Sequence, residues 1–171
     1  SSLLSIAAFS PIFSFAPDSN KLERVDGSIK TKTKITIAQN ENIEIRSLSI
    51  ENNGLNEETL EITSVLEPIL SKKEQDYAHP AFNNLFLEFE NIDNFIIVKR
   101  RARLKEEKDI YLGVSLCTDN ESIGELEFEI NKEKFNGRCN LNLPQMVKES
   151  RPFSKNIGLV VNPIKSIKIN L

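Results

Sequence analysis

A single histidine, His79, limits the catalytic chemistry open to this chain of 171 residues. A histidine-based triad would have to use it, and no serine or cysteine motif offers it a nucleophile. A histidine-rich metal site is excluded, and we predict no catalytic residue, no metal and no cofactor. Pro80 disfavours a helical conformation at His79. Two roles stay open, hydrogen bonding at a ligand groove and tying a loop to the fold through the ring nitrogens, and the residues alone favour the second.

The strongest basic cluster runs from Lys99 to Lys105 with the sequence KRRARLK. In an extended strand, Arg101 and Arg103 share one face while Arg100 points to the other. Fixed guanidinium groups suit carboxylate, phosphate or sugar hydroxyl groups. The alternative, which the residues alone favour, is a solvated strand end balanced by the acidic pair at 106–107. A nucleic-acid site is not expected, because no aromatic residues interleave with the arginines and the net charge is −3.

Charged groups recur in two later segments. Arg138 follows Gly137, so a loop could present it to a ligand, and the alternative is an ordinary turn with the glycine at positive φ. Glu125, Glu127 and Glu129 alternate with apolar residues. Three carboxylates at this spacing predict a solvated strand face rather than a general acid–base pair.

Composition and cysteine usage indicate the class of protein and its compartment. The chain is 39% hydrophobic and 27% charged, which excludes a disordered chain. No apolar run reaches the roughly 20 residues that a membrane-spanning helix needs, and the first 15 residues lack the basic start of a signal peptide. Cys117 and Cys139 have no C-x-x-C spacing, which favours reduced thiols in a cytoplasmic protein over a lone disulfide. Because no initiator Met is present, we expect a piece of a longer protein.

Alternation of apolar and polar residues predicts the elements that position these groups. The first three predicted strands form an antiparallel meander, with a bulge between Ile45 and Leu48 where the alternation slips. Short helical turns are expected near 76–83, 132–135 and 143–148, and an exposed loop at 72–76. The pattern predicts strands at 31–37, 42–50, 59–66, 85–90, 95–99, 110–117, 125–130, 157–161 and 164–171.

Short strands separated by turns, without a long helical period, predict an all-β antiparallel sandwich with a few short helical turns. The length fits one domain spanning residues 1–171. Taken alone, the residues support a β-sandwich domain and no specific activity.

The linear order of several segments resembles one family. These segments are 44–52 (EIRSLSIEN), 61–67 (EITSVLE), 79–86 (HPAFNNLF), 100–103 (RRAR), 135–138 (FNGR) and 158–164 (GLVVNPI). They resemble the N-terminal β-sandwich of glycoside hydrolase family 94, formerly glycosyltransferase family 36. The similarity is to the branch of cyclic β-1,2-glucan synthases and β-1,2-oligoglucan phosphorylases. It covers about residues 13–171, and 79–86 is its most specific segment.

The resemblance implies a super-sandwich related in fold to galactose mutarotase. It also implies that the catalytic acid lies in a helical (α/α) barrel that this chain does not contain, so the chain alone is not expected to be catalytic. His79, Arg101, Arg103 and Arg138 become the candidates for contacts to sugar, phosphate or the barrel. A β-glucan oligosaccharide and phosphate are the expected small partners, and a homodimer is one further expectation. The alternatives are a stand-alone carbohydrate-binding module and a purely structural interaction domain.

Overall fold

The computed structural model describes residues 12–16, 19–93, 95–119, 126–137 and 143–170. Within these ranges the strands pair only in antiparallel fashion and form three sheets, accompanied by short helices. The predicted all-β antiparallel architecture with a few short helical turns is confirmed. No helix in these ranges is long and apolar enough to cross a membrane. The chain divides into two compact units, Ser1–Thr59 and Leu60–Leu171.

The first unit contains one sheet whose strands lie in chain order. They are β1 (Ile12–Ala16), β2 (Ser19–Asp26), β3 (Ile29–Ile37) and β4 (Glu44–Asn52). Gly27 and Ser28 join β2 to β3, and Gly27 has φ 59°, which glycine adopts without strain. The sequence pattern did not predict β2, because its two apolar residues, Leu22 and Val25, fall on opposite faces of the strand.

The bulge predicted in β4 is wrong. Strands β3 and β4 pair along their whole length without a register shift. Since successive side chains alternate between the faces of a sheet, Ile45 and Leu48 lie on opposite faces. They are 52% and 45% exposed. The slip in the alternation therefore reflects apolar residues on both faces and not an inserted residue.

The second unit contains two sheets and the short helices. One sheet has the order β10–β6–β7–β8 and the other the order β5–β11–β9. The strands are β5 (Glu61–Leu66), β6 (Leu87–Ile92), β7 (Phe95–Arg100), β8 (Ile110–Ser115), β9 (Glu127–Asn131), β10 (Gly158–Leu159) and β11 (Pro163–Asn170). The helices are α1 (Lys73–Ala78), α2 (Pro80–Asn84), α3 (Lys132–Asn136) and α4 (Gln145–Lys148).

The two sheets of the second unit pack face to face. Their shared core contains Phe89, Ile96 and Val98 from one sheet and Ile130 and Ile167 from the other, each at most 1% exposed. Burying a side chain of this size stabilises a fold by about 1.5–3 kcal/mol. A second cluster, formed by Phe135, Met146, Phe153 and Ile164, joins α3 and α4 to β11. The second unit is therefore a β-sandwich with a small helical layer.

Two local predictions in this unit are wrong. Strand β5 does not extend the meander of β3 and β4, because it pairs with β11 at the other end of the chain. The segment 72–76 is not a loop throughout, because α1 begins at Lys73. The helical turns predicted near 76–83, 132–135 and 143–148 are confirmed as α1 with α2, α3 and α4.

Candidate functional site

The connection from β7 to β8 carries two of the predicted site residues. Strand β7 ends at Arg100, so Arg101 and Arg103 lie in a loop and not in the extended strand assumed from the sequence. Two carboxylates shape this loop. Asp109 Oδ1 accepts a hydrogen bond from the Ala102 backbone N–H at 2.9 Å, and Glu107 Oε2 accepts one from the Arg103 N–H at 3.0 Å.

Both carboxylates are held in the ionised form. The Arg103 backbone N–H lowers the pKa of Glu107, and the Ala102 N–H, followed by Lys99, lowers the pKa of Asp109. Lys99 Nζ lies 3.1 Å from Asp109 Oδ2, and this hydrogen bond raises the pKa of the lysine. These groups lie at the surface and are only partly buried, so we expect them to order the loop more than they add to global stability.

The loop places both arginines against the end of α2. Arg103 lies over two aromatic rings, with its guanidinium carbon 5.8 Å from the Phe82 centroid and 5.5 Å from the Phe86 centroid. The two rings are edge to face at 5.2 Å. Arg101 donates from Nη2 to the Leu85 carbonyl at 3.3 Å. We call Phe82, Leu85, Phe86, Arg101 and Arg103 the Arg–Phe surface.

This surface combines exposed apolar area with an available cation. Phe82 and Leu85 are 50% and 49% exposed. The Arg103 guanidinium forms no hydrogen bond or ion pair with any residue that the structure describes. Its planar N–H edge can therefore reach a carboxylate, a phosphate or a sugar hydroxyl, while its face rests on the rings.

His79 lies at the junction between α1 and α2. Its φ and ψ of −147° and 68° are outside the helical region, as the following proline predicts. The main chain carries its contacts: the N–H donates to the Gln75 carbonyl, and the carbonyl accepts from Asn83 N and Nδ2. The ring is exposed and forms no hydrogen bond within the described ranges. The structural role favoured from the sequence, through the ring nitrogens, is not found there.

The structure therefore brings Arg101 and Arg103 together against the segment that follows His79. Arg138, the fourth predicted site residue, lies outside the described residues, as does Cys139. Gly137 has the predicted positive φ, 68°. Cys117 is exposed. Within the described ranges, no three His, Cys, Asp or Glu side chains gather as a metal site.

Sequence reasoning missed a buried polar layer on the other face of the β5–β11–β9 sheet. Glu129 is 1% exposed, which contradicts the predicted solvated face. Its carboxylate accepts hydrogen bonds from the N–H groups of Ile130 and Asn131 at 3.0 and 2.9 Å and of Ser154 at 3.4 Å. Glu127 likewise accepts from the Phe153 N–H at 2.8 Å. Backbone N–H groups of the strand itself and of segment 153–154 thus supply the donors that make it tolerable to remove these carboxylates from water. Glu125 lies outside the described residues.

Lys168 on β11 completes this layer. It is 3% exposed, and its ammonium group lies 3.3 Å from Glu127 and 3.5 Å from Glu61. It also donates to the Arg151 carbonyl at 2.8 Å and lies 4.8 Å from the Phe153 ring centroid. An available signal was the alternation itself, which places Lys168 of β11 on the same sheet face as Glu127 and Glu129 of β9. Nothing in the sequence showed that a later segment would cover that face.

Comparison with known proteins agrees with the resemblance read from the sequence. The family model described as "Glycosyl hydrolase 94, supersandwich domain" matches residues 10–171. The chain is also similar to the cyclic beta-(1,2)-glucan synthase NdvB of Rhizobium meliloti (strain 1021), with 28% identity over 127 residues. That alignment covers 72% of this chain but only 4% of the relative's length. Since the family match spans nearly the whole sequence, the chain belongs to the glycosyl hydrolase 94 supersandwich domain family.

Proposed function

We propose that the chain is the non-catalytic β-sandwich of an enzyme related to cyclic β-1,2-glucan synthases or β-glucan phosphorylases. It acts as a scaffold that packs against a catalytic (α/α) barrel, and residues 1–171 form one sandwich domain of that enzyme. Family membership and the glucan synthase relative support this context. The observation that carries the docking role is the Arg–Phe surface.

Aromatic residues and arginine are the types enriched where proteins bury surface against a partner. Here Phe82 and Leu85 are each half exposed, and the Arg103 guanidinium beside them has no hydrogen-bond or ion-pair partner among the described residues. A partner that covers the rings would remove apolar area from water and strengthen the cation–π contact, because such contacts gain when they are desolvated. A carboxylate or a backbone carbonyl on the partner would then satisfy the guanidinium.

The docking role is tested by measuring how tightly the chain binds the barrel. The chain and the helical barrel of the enzyme that carries it would be expressed separately and mixed, and their affinity measured by calorimetry. We expect Phe82→Ala and Arg103→Ala each to weaken binding by at least about 10-fold, the size of a 1.4 kcal/mol contribution. Arg46→Ala is the matched control, because Arg46 is exposed, pairs with Glu44 and has no cation–π contact with any ring that the structure describes.

Equal affinities for the Arg103→Ala and Arg46→Ala variants would contradict docking through this surface. Turnover gives an independent check. We expect no phosphorolysis of β-1,2-glucan by the chain alone, and robust turnover by it would refute the non-catalytic role.

A carbohydrate-binding module is the second candidate, and the free guanidinium edge of Arg103 favours it. Sugar rings stack on aromatic faces while their hydroxyl groups hydrogen-bond to planar donors. Calorimetry with linear and cyclic β-1,2-glucans tests this function. Binding of millimolar affinity or tighter, abolished by Arg101→Ala or Arg103→Ala, would support it, and no heat at any accessible concentration would exclude it.

The remaining partners and the compartment are further parts of the proposal. His79→Ala and Arg138→Ala in the same titrations test the other two predicted contacts, with phosphate added as a second ligand. Sedimentation equilibrium tests the homodimer, which requires a mass of twice 19.4 kDa. A cytoplasmic location would be checked by cell fractionation.

A further inference from the structure

A small cleft lies beside the buried end of β7. Arg100 points to the buried face of its sheet, opposite Leu87, and is only 5% exposed. Its Nε is fully buried and has no hydrogen-bond partner among the described residues. The hydroxyl of Ser71, also buried, lacks a partner as well. Both residues line the same cleft, together with Asp76 on α1.

Two unpaired buried polar atoms facing one space need a third group. Leaving a buried N–H without a hydrogen-bond partner destabilises the fold, and more so when the group is charged. The cleft has a volume of about 10 Å³, which matches the smallest space that holds one water molecule. A polyatomic anion does not fit. A single chloride ion would offset the arginine charge but would face the Asp76 carboxylate and the lone pairs of Ser71.

We propose that one ordered water molecule occupies this cleft. It accepts a hydrogen bond from Arg100 Nε–H and donates to Ser71 Oγ and to the Asp76 carboxylate, so that all its bonds have partners. The water links the Arg100 guanidinium to the Asp76 carboxylate through hydrogen bonds, and both residues line the cleft.

This hydration site joins the two segments that carry the predicted site residues. Arg101 and Arg103 follow directly after Arg100, and His79 follows shortly after Asp76. A tie between β7 and α1 therefore fixes the relative position of the loop and of the helix pair. Arg100 is a positioning residue in this arrangement, and the inference holds whether or not the barrel docks here.

Two experiments test the proposal: one detects the water molecule directly, and the other displaces it with a substitution. A crystal structure that shows ordered waters locates it, and oxygen-17 relaxation dispersion counts the long-lived waters in solution. Ser71→Thr adds a methyl group that competes for the cleft, and we expect one long-lived water fewer. Ser64→Thr adds the same methyl group at an exposed position on β5 and is the control.

Coupling between the ends of the bridge gives a second readout. Because one water links both side chains, the variant with Arg100→Met and Asp76→Asn together should lose no more melting temperature than Arg100→Met alone. Additive losses would overturn the bridge, as would a chloride ion in the cleft, a direct Arg100–Asp76 contact, or an unchanged water count in Ser71→Thr. If Arg100→Met does not fold, the water count and the crystal structure still decide.

Discussion

The two units differ in how far apart in the sequence their paired strands lie. The first unit has one sheet and the second has two. Strands β1 to β4 pair strictly with their sequence neighbours. In the second unit, β5 pairs with β11 and β6 pairs with β10. The two strands of each pair are therefore separated in sequence by most of the unit. Closing such long loops costs chain entropy before any contact is gained. In the second unit, the buried core offsets that entropy cost.

The two units also differ in how many hydrophobic side chains they bury. Among the first-unit residues whose side-chain burial the structure describes, Ile29 is the one buried hydrophobic residue, and both faces of β4 are largely exposed. In the second unit, Leu87, Phe89 and Ile130 are at most 3% exposed and belong to a continuous core. Local pairing thus makes a regular sheet, whereas non-local pairing makes the interior.

Charged residues show the difference most clearly. In the first sheet, Lys21 and Lys34 lie directly opposite each other and are exposed, so each keeps its hydration. In the second unit, Lys168 is buried, and Glu127, Glu61 and the Arg151 carbonyl surround its ammonium group in place of water. We therefore expect a lysine to be nearly neutral for stability in the first sheet, and its removal from the Lys168 position to be destabilising.

The largest expected effect tests where the core lies. Leu87→Ala removes a side chain that is 3% exposed, and Leu48→Ala removes one that is 45% exposed. We expect losses of about 3 kcal/mol for Leu87→Ala and under about 1 kcal/mol for Leu48→Ala. Urea unfolding followed by amide NMR signals from each unit measures both. Similar losses at the two positions would break the contrast between the units.

The second effect tests the buried charge layer. Lys168→Met leaves the carboxylates of Glu127 and Glu61 without their cation, while Lys34→Met removes an exposed lysine that faces Lys21. We expect a loss of about 2–3 kcal/mol for Lys168→Met, because breaking a buried pair costs more than the pair contributes. Lys34→Met should be neutral or slightly stabilising, since like charges directly opposite repel. Chemical denaturation measures both, and a neutral Lys168→Met would show that the layer is solvated.

The third effect is the pH dependence that this layer creates. Burial by itself would raise the pKa of Glu127, but the Phe153 N–H and Lys168 outweigh it and hold the pKa below 4.5, its ordinary value. A carboxyl group with a lowered pKa stabilises the fold above its unfolded-state pKa, and this contribution disappears as the pH falls through the folded-state pKa. Glu127→Gln should therefore cost more stability at pH 7 than at pH 3.

Stability measured at several pH values, with a carbon-13 titration of the Glu127 carboxyl, checks this expectation. Glu90→Gln is the control, because Glu90 is an exposed strand residue and should change stability by less than about 0.5 kcal/mol. A cost of Glu127→Gln that is equal at both pH values would contradict the role assigned to the layer.

The smallest effect tests a backbone requirement in each unit. Gly27 has φ 59° in the β2–β3 hairpin, whereas Gly113 on β8 has no positive φ and open space where a Cβ would lie. Gly27→Ala should cost about 1 kcal/mol, and Gly113→Ala should be neutral or slightly stabilising. Thermal denaturation compares them, and a neutral Gly27→Ala would mean that the hairpin tolerates another turn.

Sequence reasoning predicted the elements better than their partners. The alternation of β3 and the helical turn at α4 needed only neighbouring residues, and both are confirmed. The partner of β5 was predicted wrongly, because turn residues indicate where a strand ends but not which strand it joins. At the candidate site, the sequence named Arg101 and Arg103 but placed them in a strand, and it did not predict the rings on which Arg103 rests.

The sequence by itself determined the all-β class, the positions of the short helices and the family, because these depend on local periodicity and on ordered motifs. Tertiary structure decided which charged residues are buried. From the sequence, Glu129 and Lys168 belong to an ordinary polar strand face. In the structure, segment 151–154 covers them and supplies backbone donors and a carbonyl. Whether a charge is solvated or buried depends on chain segments that are distant in sequence, and no local pattern encodes that contact.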